Sequence, residues 1–397
     1  MSHPSSRHGF FFVTVFTAIF LLLYYSHARG YLQFDFSPPV LPFDILIHNI
    51  TNTSSERVSA TKHVSFNQTL RNTDNTTKEI VMPSRMDGVF CSSAFKMCPV
   101  SNCVYKFSDR VEEMTNSHLV VIEFSSSLVG QVDLLRTLWK HPPLLVYSHE
   151  SPGYKKNLWR TSFNNFDGVI SYETRATVYY PYSVTAPIHP RTSTSQLQQN
   201  YAKDKRKGAF AYVSNCKSIH YNRMAVMRQL AKYIDVDIYG SCTGNVPCSR
   251  ADAECEAAIH KQYRFYLAFE NSLCKDYVTE KFWKTLVSPG HFVPVVIGGL
   301  SIDEYTSIAP DNSFIHAYNF TSIARLGTYL QKLMNDDVVY NRYHAWKTKQ
   351  KIDSAEVQAS CDLCSLTHNP GLLTSKHMRR WADEWNDAKK CMNFALK

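Results

Sequence analysis

The sequence of 397 residues does not gather its charges of either sign into one block. It has 43 Lys and Arg and 34 Asp and Glu, so the net charge of +9 is spread along the chain. It also lacks a nucleic-acid motif with base-reading side chains and any internal repeat of the kind that builds a solenoid. These absences argue against a nucleic-acid partner. Dispersed positive charge suits an anionic small molecule or a membrane surface.

Charge is missing altogether from residues 9–26, which read GFFFVTVFTAIFLLLYYS. As a helix this run would be about 27 Å long, nearly enough to span a bilayer. Arg7 and Arg29 leave its orientation open, and residues 26–28 could also form a signal-peptidase site. The run exceeds the apolar region of a cleaved signal, which is about 7–15 residues. We therefore expect an uncleaved transmembrane signal anchor over 9–26 after a cytoplasmic tail, 1–8.

Asn-x-Ser/Thr triplets, the acceptors of N-glycosylation, indicate that the following chain is exported. They begin at Asn49, Asn52, Asn67, Asn75 and Asn319. The first four lie in a Thr-, Ser- and Asn-rich stretch, 49–77, that has neither strand nor helix periodicity. Residues 27–88 are therefore predicted to form a glycosylated luminal stem. The alternative is chance occurrence of the triplets in such a composition.

An exported chain with 11 cysteines is expected to hold disulfides rather than reactive thiols. Zinc is the alternative, because Cys361 and Cys364 supply half a site with His368 and His377 nearby. No second cysteine pair stands at the expected spacing, so we predict disulfides and no metal site. The odd count leaves at least one thiol free or paired to another chain, which would allow an oligomer.

Beyond the stem, short apolar runs alternate with segments of helical periodicity. The runs are 118–124, 143–150, 167–173, 208–215, 236–240, 265–271 and 292–299; the helical segments are 132–140, 223–234, 252–261, 276–287 and 321–349. This alternation implies parallel sheets covered on both faces, with ligands at the carboxyl ends of the strands. We predict two α/β domains, 89–200 and 201–360, facing each other across a cleft and followed by a tail, 361–397.

The stretch with the most candidate chemistry is YRFYLAFENSLCKDYVTEKFWKTL, residues 263–286. FYLAFEN suits a buried parallel strand, and a turn then leads into a helix with Asp276 as the expected N-cap. Tyr277, Glu280 and Lys281 would lie on one helical face. There the lysine could hold a pyrophosphate and the glutamate two ribose hydroxyls. The alternative is a capped helix with a surface Glu–Lys pair.

The segment FYLAFENSLCKDYVTEKFW resembles the signature of the α1,3-fucosyltransferases, family 10 of the glycosyltransferases. The likeness extends over most of residues 145–365, through ESP (150–152), AYVSNC with NR (211–223), VDIYGSC (236–242), VPVVIGG (293–299) and CDLC (361–364). It implies a GT-B fold of two Rossmann-like domains and inverting transfer of L-fucose from GDP-β-L-fucose. The implied acceptor is a GlcNAc hydroxyl of N-glycans or related glycoconjugates. The resemblance implies that no cofactor is required, although Mn²⁺ or Mg²⁺ could stimulate the reaction.

The resemblance also assigns roles to individual residues. Asn271, Tyr277, Glu280 and Lys281 match the donor-binding motif, Arg223 matches a basic residue at the diphosphate, and Glu150 matches the catalytic base. The chemistry agrees, because a GDP leaving group needs cations and a single displacement needs a base but no enzyme nucleophile. Without the resemblance, Glu150 would be an ordinary loop acid. His149 is adjacent to it but would point to the opposite face of a continuing strand.

The family likeness further suggests that Cys91, Cys98, Cys361 and Cys364 cross-pair and tie the tail to the first domain. A type II Golgi membrane protein with a luminal catalytic part is implied as well. At 173–177 the chain departs from the pattern, because Arg175-Ala176-Thr177 replaces an acidic DSD. This departure keeps two alternatives open, a catalytically silent glycan-binding relative and a GDP-sugar transferase with another acceptor. A secreted disulfide-rich binding protein is a third, which the βα alternation disfavours.

Overall fold

A computed structural model describes residues 76–124, 142–152, 165–188, 199–216, 221–249, 252–373 and 391–394, and the single positions 132, 136, 378, 381 and 396. The predicted cytoplasmic tail, the anchor and all but the end of the stem lie outside these residues, as do Asn49, Asn52, Asn67 and Asn75. Asn319 is exposed. Among the residues that are described, none of the helices combines the length and the apolar character that a membrane crossing requires.

Six parallel strands form the first sheet, in the order β2-β1-β3-β4-β5-β6. They are β1 (Lys78–Met82), β2 (Cys103–Phe107), β3 (Leu119–Glu123), β4 (Leu144–Ser148), β5 (Gly168–Ser171) and β6 (Val178–Tyr179), followed outside the sheet by β7 (Val184–Pro187). A short helix, α1 (Val111–Met114), connects β2 to β3. All five residues of β4 are buried, which explains its unbroken apolar run. Of the predicted helix 132–140, positions 132 and 136 are described and both are helical.

Strand β1 lies inside the first sheet, between β2 and β3, although its residues fall in the predicted stem. Ile80, Val81 and Met82 have no solvent-exposed surface. The stem prediction is therefore wrong at its C-terminal end, because the folded chain begins before residue 88. The run KEIVM holds only three apolar residues behind a polar stretch, too weak a pattern to stand out as a strand.

The second sheet has five parallel strands, in the order β12-β11-β10-β8-β9. They are β8 (Lys207–Tyr212), β9 (Val236–Tyr239), β10 (Tyr263–Phe269), β11 (Val293–Ile297) and β12 (Ile315–His316). The helices between them are α2 (Arg223–Leu230), α3 (Ala253–His260), α4 (Glu280–Leu286) and α5 (Ile302–Ile308). All seven residues of the central strand β10 are buried. The predicted α/β class with parallel sheets is confirmed.

The long helical stretch predicted over 321–349 is broken into shorter pieces. They are α6 (Ile323–Met334), α7 (Asp337–Arg342) and a 3₁₀ turn at Ala345–Thr348. The side chain of Asp336 accepts a hydrogen bond from the Val339 N–H at 2.9 Å and so caps a new helix where the old one ends. Strand β13 (Gln350–Asp353) follows and pairs antiparallel with β7.

The last long helix, α8 (Glu356–His368), packs on the first sheet rather than on the second. Its Ala359, Leu363 and Leu366 are fully buried in the same core as Ile80 and Leu145. Two disulfides, Cys98–Cys361 and Cys103–Cys364, fasten it there. The chain therefore returns to its first domain after completing the second.

The predicted cross-pairing is right for Cys98, Cys361 and Cys364 but wrong for Cys91. Cys103, on β2, takes the place of Cys91, which is exposed and unpaired and accepts a hydrogen bond from the Ser93 hydroxyl at 3.1 Å. The other disulfides are Cys216–Cys242, Cys248–Cys255 and Cys274–Cys391. His368 lies near Cys103 and Cys364, but their sulfurs are bonded to each other and are not thiolate ligands. An oligomer through Cys91 stays a prediction.

Acid should destabilise this fold because several histidines are buried in neutral form. Burial lowers the pKa of His260 and His316 to about 4 and that of His344 well below its usual range. Since an unfolded histidine titrates near a pKa of about 6.5, the unfolded state binds more protons below that pH. Stability should be full above about pH 6.5 and decline toward pH 4. Thermal unfolding across this range checks the decline. His344→Phe should lessen the decline, and a decline as steep in this variant as in the wild-type protein would contradict the explanation.

Candidate active site

The carboxyl ends of the two sheets meet directly. Ser151, three residues beyond β4, and Ser272, three residues beyond β10, are both fully buried, and their hydroxyl oxygens are 2.8 Å apart. Glu150 and Asn271 each precede one of these serines. The predicted base and the predicted donor motif therefore stand on facing segments, as expected for ligands at the carboxyl ends of parallel strands.

A second contact between the sheets is aromatic. The rings of Tyr172, after β5, and Tyr277 pack edge to face with centroids 5.2 Å apart. The Tyr172 hydroxyl donates to the backbone carbonyl of Glu150 at 3.3 Å. Burial raises the pKa of Tyr277 well above its usual range; the charge of Lys281 opposes this rise, and the charges of Glu270, Glu280 and Glu150 add to it. Carboxylates from both sheets thus act on one phenol.

Glu150 is half-buried and lies two residues beyond the end of β4. Its N–H donates to the Ser148 hydroxyl at 3.3 Å, and its carbonyl accepts from Tyr172. The backbone at this position is therefore fixed from both sides. A carboxylate on a fixed segment at the meeting of the two sheets can accept a proton from a bound hydroxyl.

The His149 ring is held by contacts with residues that follow β6 in the first domain. Its Nε2 lies 2.6 Å from the Tyr180 carbonyl, so this nitrogen must carry the proton. The ring stacks on Tyr180 and Tyr182 with centroids 4.9 and 4.5 Å away. Burial lowers the pKa of His149 to about 4, although the hydrogen bond to Tyr180 opposes the shift. These contacts favour Glu150 over His149 as the base.

Residues 270–279, which we call the donor turn, connect β10 to α4, and Asp276 does not cap that helix. Asp276 adopts a left-handed backbone conformation, φ 61°, and accepts hydrogen bonds from Thr174 N–H and Oγ1 at 3.1 and 2.9 Å. The N-cap is Thr279, and α4 begins at Glu280. Tyr277 therefore precedes the helix, and the shared face predicted for Tyr277, Glu280 and Lys281 does not form.

The contact between Thr174 and Asp276 also bears on the departure at 173–177. Thr174 belongs to that segment, so the part of the chain that differs from the family pattern touches the donor turn. Thr177, the last residue of the segment, accepts a hydrogen bond from the Val169 N–H at 3.1 Å and holds the start of β5. The altered segment is thus ordered and joined to the site.

A buried carboxylate that sequence reasoning left without a role, Glu270, organises the start of α4. It is 1% exposed, and its Oε1 accepts from the Thr279 N–H at 2.8 Å. The Thr279 hydroxyl lies 2.9 Å from both carboxylate oxygens. Burial raises the pKa of Glu270, and the charge of Lys281 opposes this rise. An acid that closes an otherwise apolar strand is the sequence signal that could have identified it.

Lys281 stands at the centre of this arrangement. Its Nζ is 2.8 Å from Glu280 Oε1, 3.0 Å from Thr279 Oγ1 and 3.4 Å from Glu270 Oε2. The side chain keeps 15% exposure and that of Glu280 31%, so both reach the surface of the site. Burial alone would raise the pKa of Glu280, but the charge and hydrogen bond of Lys281 outweigh it and lower the pKa. The lowered pKa keeps Glu280 ionised near neutral pH, so that both of its carboxylate oxygens are hydrogen-bond acceptors.

Asn271 and Arg223 complete the predicted set. Asn271 Oδ1 is buried and has no hydrogen-bond partner among the described residues. Arg223 opens α2 and is 3% exposed. Its guanidinium donates to the carbonyls of Phe269 and Asn215 at 3.1 and 2.5 Å. Arg223 thereby joins the ends of β8 and β10, a structural role additional to the one predicted.

The chain is similar in sequence to known fucosyltransferases. Residues 202–381 match a family model described as glycosyltransferase family 10 (fucosyltransferase), C-terminal part. Glycoprotein 3-alpha-L-fucosyltransferase A of Drosophila melanogaster is 34% identical over 244 residues, covering 61% of this chain and 46% of the relative. Alpha-(1,3)-fucosyltransferase fut-1 of Caenorhabditis elegans is 32% identical over 210 residues, covering 53% of this chain and 47% of the relative. The chain thus spans about half the length of these relatives.

A solved structure of an alpha1,3-fucosyltransferase covers 70% of this chain and 83% of its own, with a TM-score of 0.45 and 16% identity. The family model spans the donor turn, Arg223 and the whole of α8. The family model confirms the resemblance read from the sequence over residues 202–381, which match family 10 of the glycosyltransferases, the fucosyltransferases.

Proposed function

We propose that the protein is an α1,3-fucosyltransferase, which moves L-fucose from GDP-β-L-fucose to a GlcNAc hydroxyl of a glycoconjugate. The observation that carries the proposal is the contact between Ser151 and Ser272, which brings Glu150 to the donor turn. One reaction that needs both a base and an anion-binding lysine is displacement of a nucleoside diphosphate by a sugar hydroxyl. The match of residues 202–381 to the fucosyltransferase family model supports the same reaction.

In this proposal the donor is held by the second sheet. Lys281 neutralises the diphosphate, with Arg223 as a further cation at the start of α2. Glu280, kept ionised by Lys281, accepts hydrogen bonds from two ribose hydroxyls. Asn271 offers its buried Oδ1 to a donor hydroxyl. These groups stabilise the negative charge that grows on the β-phosphate as the bond to fucose breaks.

The acceptor is activated from the first sheet. Glu150 takes the proton of the attacking GlcNAc hydroxyl. The oxygen of that hydroxyl bonds to the anomeric carbon of fucose while GDP departs on the opposite side. One displacement of this kind inverts the anomeric configuration and needs no covalent intermediate. We further infer a GT-B arrangement, which two parallel sheets meeting at their carboxyl ends support.

The acceptor itself is the open part of the proposal. The name of the Drosophila relative includes the word glycoprotein. This favours a GlcNAc of an N-glycan as the acceptor, either in the chitobiose core or in an outer antenna. A transfer assay of the full chain with GDP-fucose and a panel of defined glycans decides between them. Parallel reactions with Mn²⁺, Mg²⁺ and chelator test the expected optional stimulation. Absence of transfer to every acceptor, with GDP still bound, would favour the silent glycan-binding relative.

We also propose a luminal catalytic part anchored in the Golgi membrane by residues 9–26. The uncharged run and the triplets behind it support this location. Glycosidase treatment of the expressed protein should lower its apparent mass, because up to five acceptor asparagines would face the lumen. Microscopy should find the protein at the Golgi. Recovery in the medium with a new N-terminus at Arg29, or no mass change, would contradict the proposal.

A further inference from the structure

The C-terminal residues 391–394, which we call the C-terminal strap, are bound to the donor turn. Cys391 forms a disulfide with Cys274, and the Met392 N–H donates to the Leu273 carbonyl at 2.8 Å. Leu273 and Cys274 are both fully buried. Two neighbouring strap residues thus hold two neighbouring residues of the donor turn, one by a covalent bond and one by a hydrogen bond.

The strap also reaches the segment that carries Arg223. The ring of Phe394 stacks on Tyr221 with centroids 5.1 Å apart and planes 19° from parallel. The Tyr221 hydroxyl donates to the Glu270 carbonyl at 2.8 Å. Since Tyr221 lies two residues before Arg223, the strap touches both segments that are proposed to bind the donor and bridges them through one aromatic pair.

The donor turn has little room to move beneath the strap. Gly299, just beyond β11, lies against this turn, because an added Cβ there would stand 2.1 Å from the Cys274 carbonyl oxygen. Tyr172 and Tyr277 pack with Cys274 in one apolar cluster, and Cys391 packs against its edge. A displacement of Cys274 would therefore be passed to Tyr277, because close-packed side chains transmit strain.

From these contacts we propose that the C-terminal strap positions the donor site. It fixes the donor turn and the start of α2 in the arrangement that binds the guanosine diphosphate part of the donor. This inference rests on the proposed function. It assigns positioning roles to Cys274, Cys391 and Phe394, none of which needs to touch the donor.

The test uses the full chain with either the disulfide or the stacked ring removed. Cys274→Ser/Cys391→Ser and Phe394→Ala should each raise the Kd for GDP and the KM for GDP-fucose about three- to tenfold, the range expected for one aromatic pair. The acceptor KM should stay within about twofold. Phe394→Tyr keeps the stacking and should restore wild-type values. Cys248→Ser/Cys255→Ser, a disulfide pair in the loop after β9 and in α3, is the matched control and should change Tm alone.

Each failure has its own signature. Strap variants with lowered Tm but wild-type Kd for GDP would overturn the positioning role and leave only stabilisation. If the Cys248→Ser/Cys255→Ser control raised the Kd for GDP and the KM for GDP-fucose as much as the strap variants, the positioning role would be overturned too. Loss of any disulfide would then be enough to weaken donor binding. If the wild-type protein binds GDP but transfers no fucose, the proposed function fails while the calorimetric comparison still decides on the strap. If it binds no GDP, both fail.

Discussion

Glu150→Gln should lower kcat by about 10²–10⁴ while the Kd for GDP stays near the wild-type value. The substitution keeps the shape of the side chain and removes the base. The backbone contacts at this position, to the Ser148 hydroxyl and from the Tyr172 hydroxyl, do not use the side chain and remain available in the variant. Transfer assays and calorimetry with GDP on the same preparation measure both quantities.

The matched control is Glu79→Gln, which removes a carboxylate from β1 of the same sheet. Glu79 pairs only loosely with Lys106, at 3.9 Å, and should leave kcat unchanged. Near-wild-type turnover by Glu150→Gln would remove Glu150 as the base. A loss of GDP affinity equal to the loss of turnover would assign it to donor binding instead.

Lys281→Ala should raise the Kd for GDP roughly tenfold or more, because a charge-assisted contact contributes on the order of 1.5–3 kcal/mol. It should also lower Tm. Glu270 would be left as a buried carboxylate without its cation, which is a costly state. The single variant therefore mixes a binding effect with a folding effect.

A double variant separates the two effects. Glu270→Gln/Lys281→Ala removes the unpaired buried charge, so Tm should recover toward the wild-type value while GDP binding stays as weak as in Lys281→Ala. Calorimetry and thermal unfolding on the two variants give this comparison. If GDP affinity recovered together with Tm, Lys281 would act only through the fold, and its assignment to the diphosphate would be lost.

The parallel sheets could be predicted because their strands are buried on both faces. The runs that became β4, β10 and β11 are apolar except for Ser148 of β4 and Arg264 of β10, a pattern that few structures other than a covered parallel strand produce. The same pattern predicted that ligand-binding residues collect at the carboxyl ends of the strands. The contact between Ser151 and Ser272 is consistent with that expectation for Glu150 and Asn271.

Other features depend on partners that are distant in sequence. Asp276 and Thr279 are both ordinary cap residues, and the choice between them is made by Thr174 of the other sheet, which engages Asp276. Disulfide connectivity likewise does not follow from spacing, so Cys103 could not be preferred to Cys91 before β2 was seen beneath α8. Tertiary contacts overrode local patterns in both cases.

The most direct test of the central claim is a crystal structure of the protein with GDP bound. The account predicts the diphosphate within hydrogen-bonding distance of Lys281 Nζ, the ribose hydroxyls at Glu280, and Glu150 facing the side from which the acceptor approaches. Lys281 would then exchange at least one of its present contacts with Glu270 and Glu280 for a phosphate oxygen. GDP bound away from the donor turn, with both contacts of Lys281 intact, would contradict it.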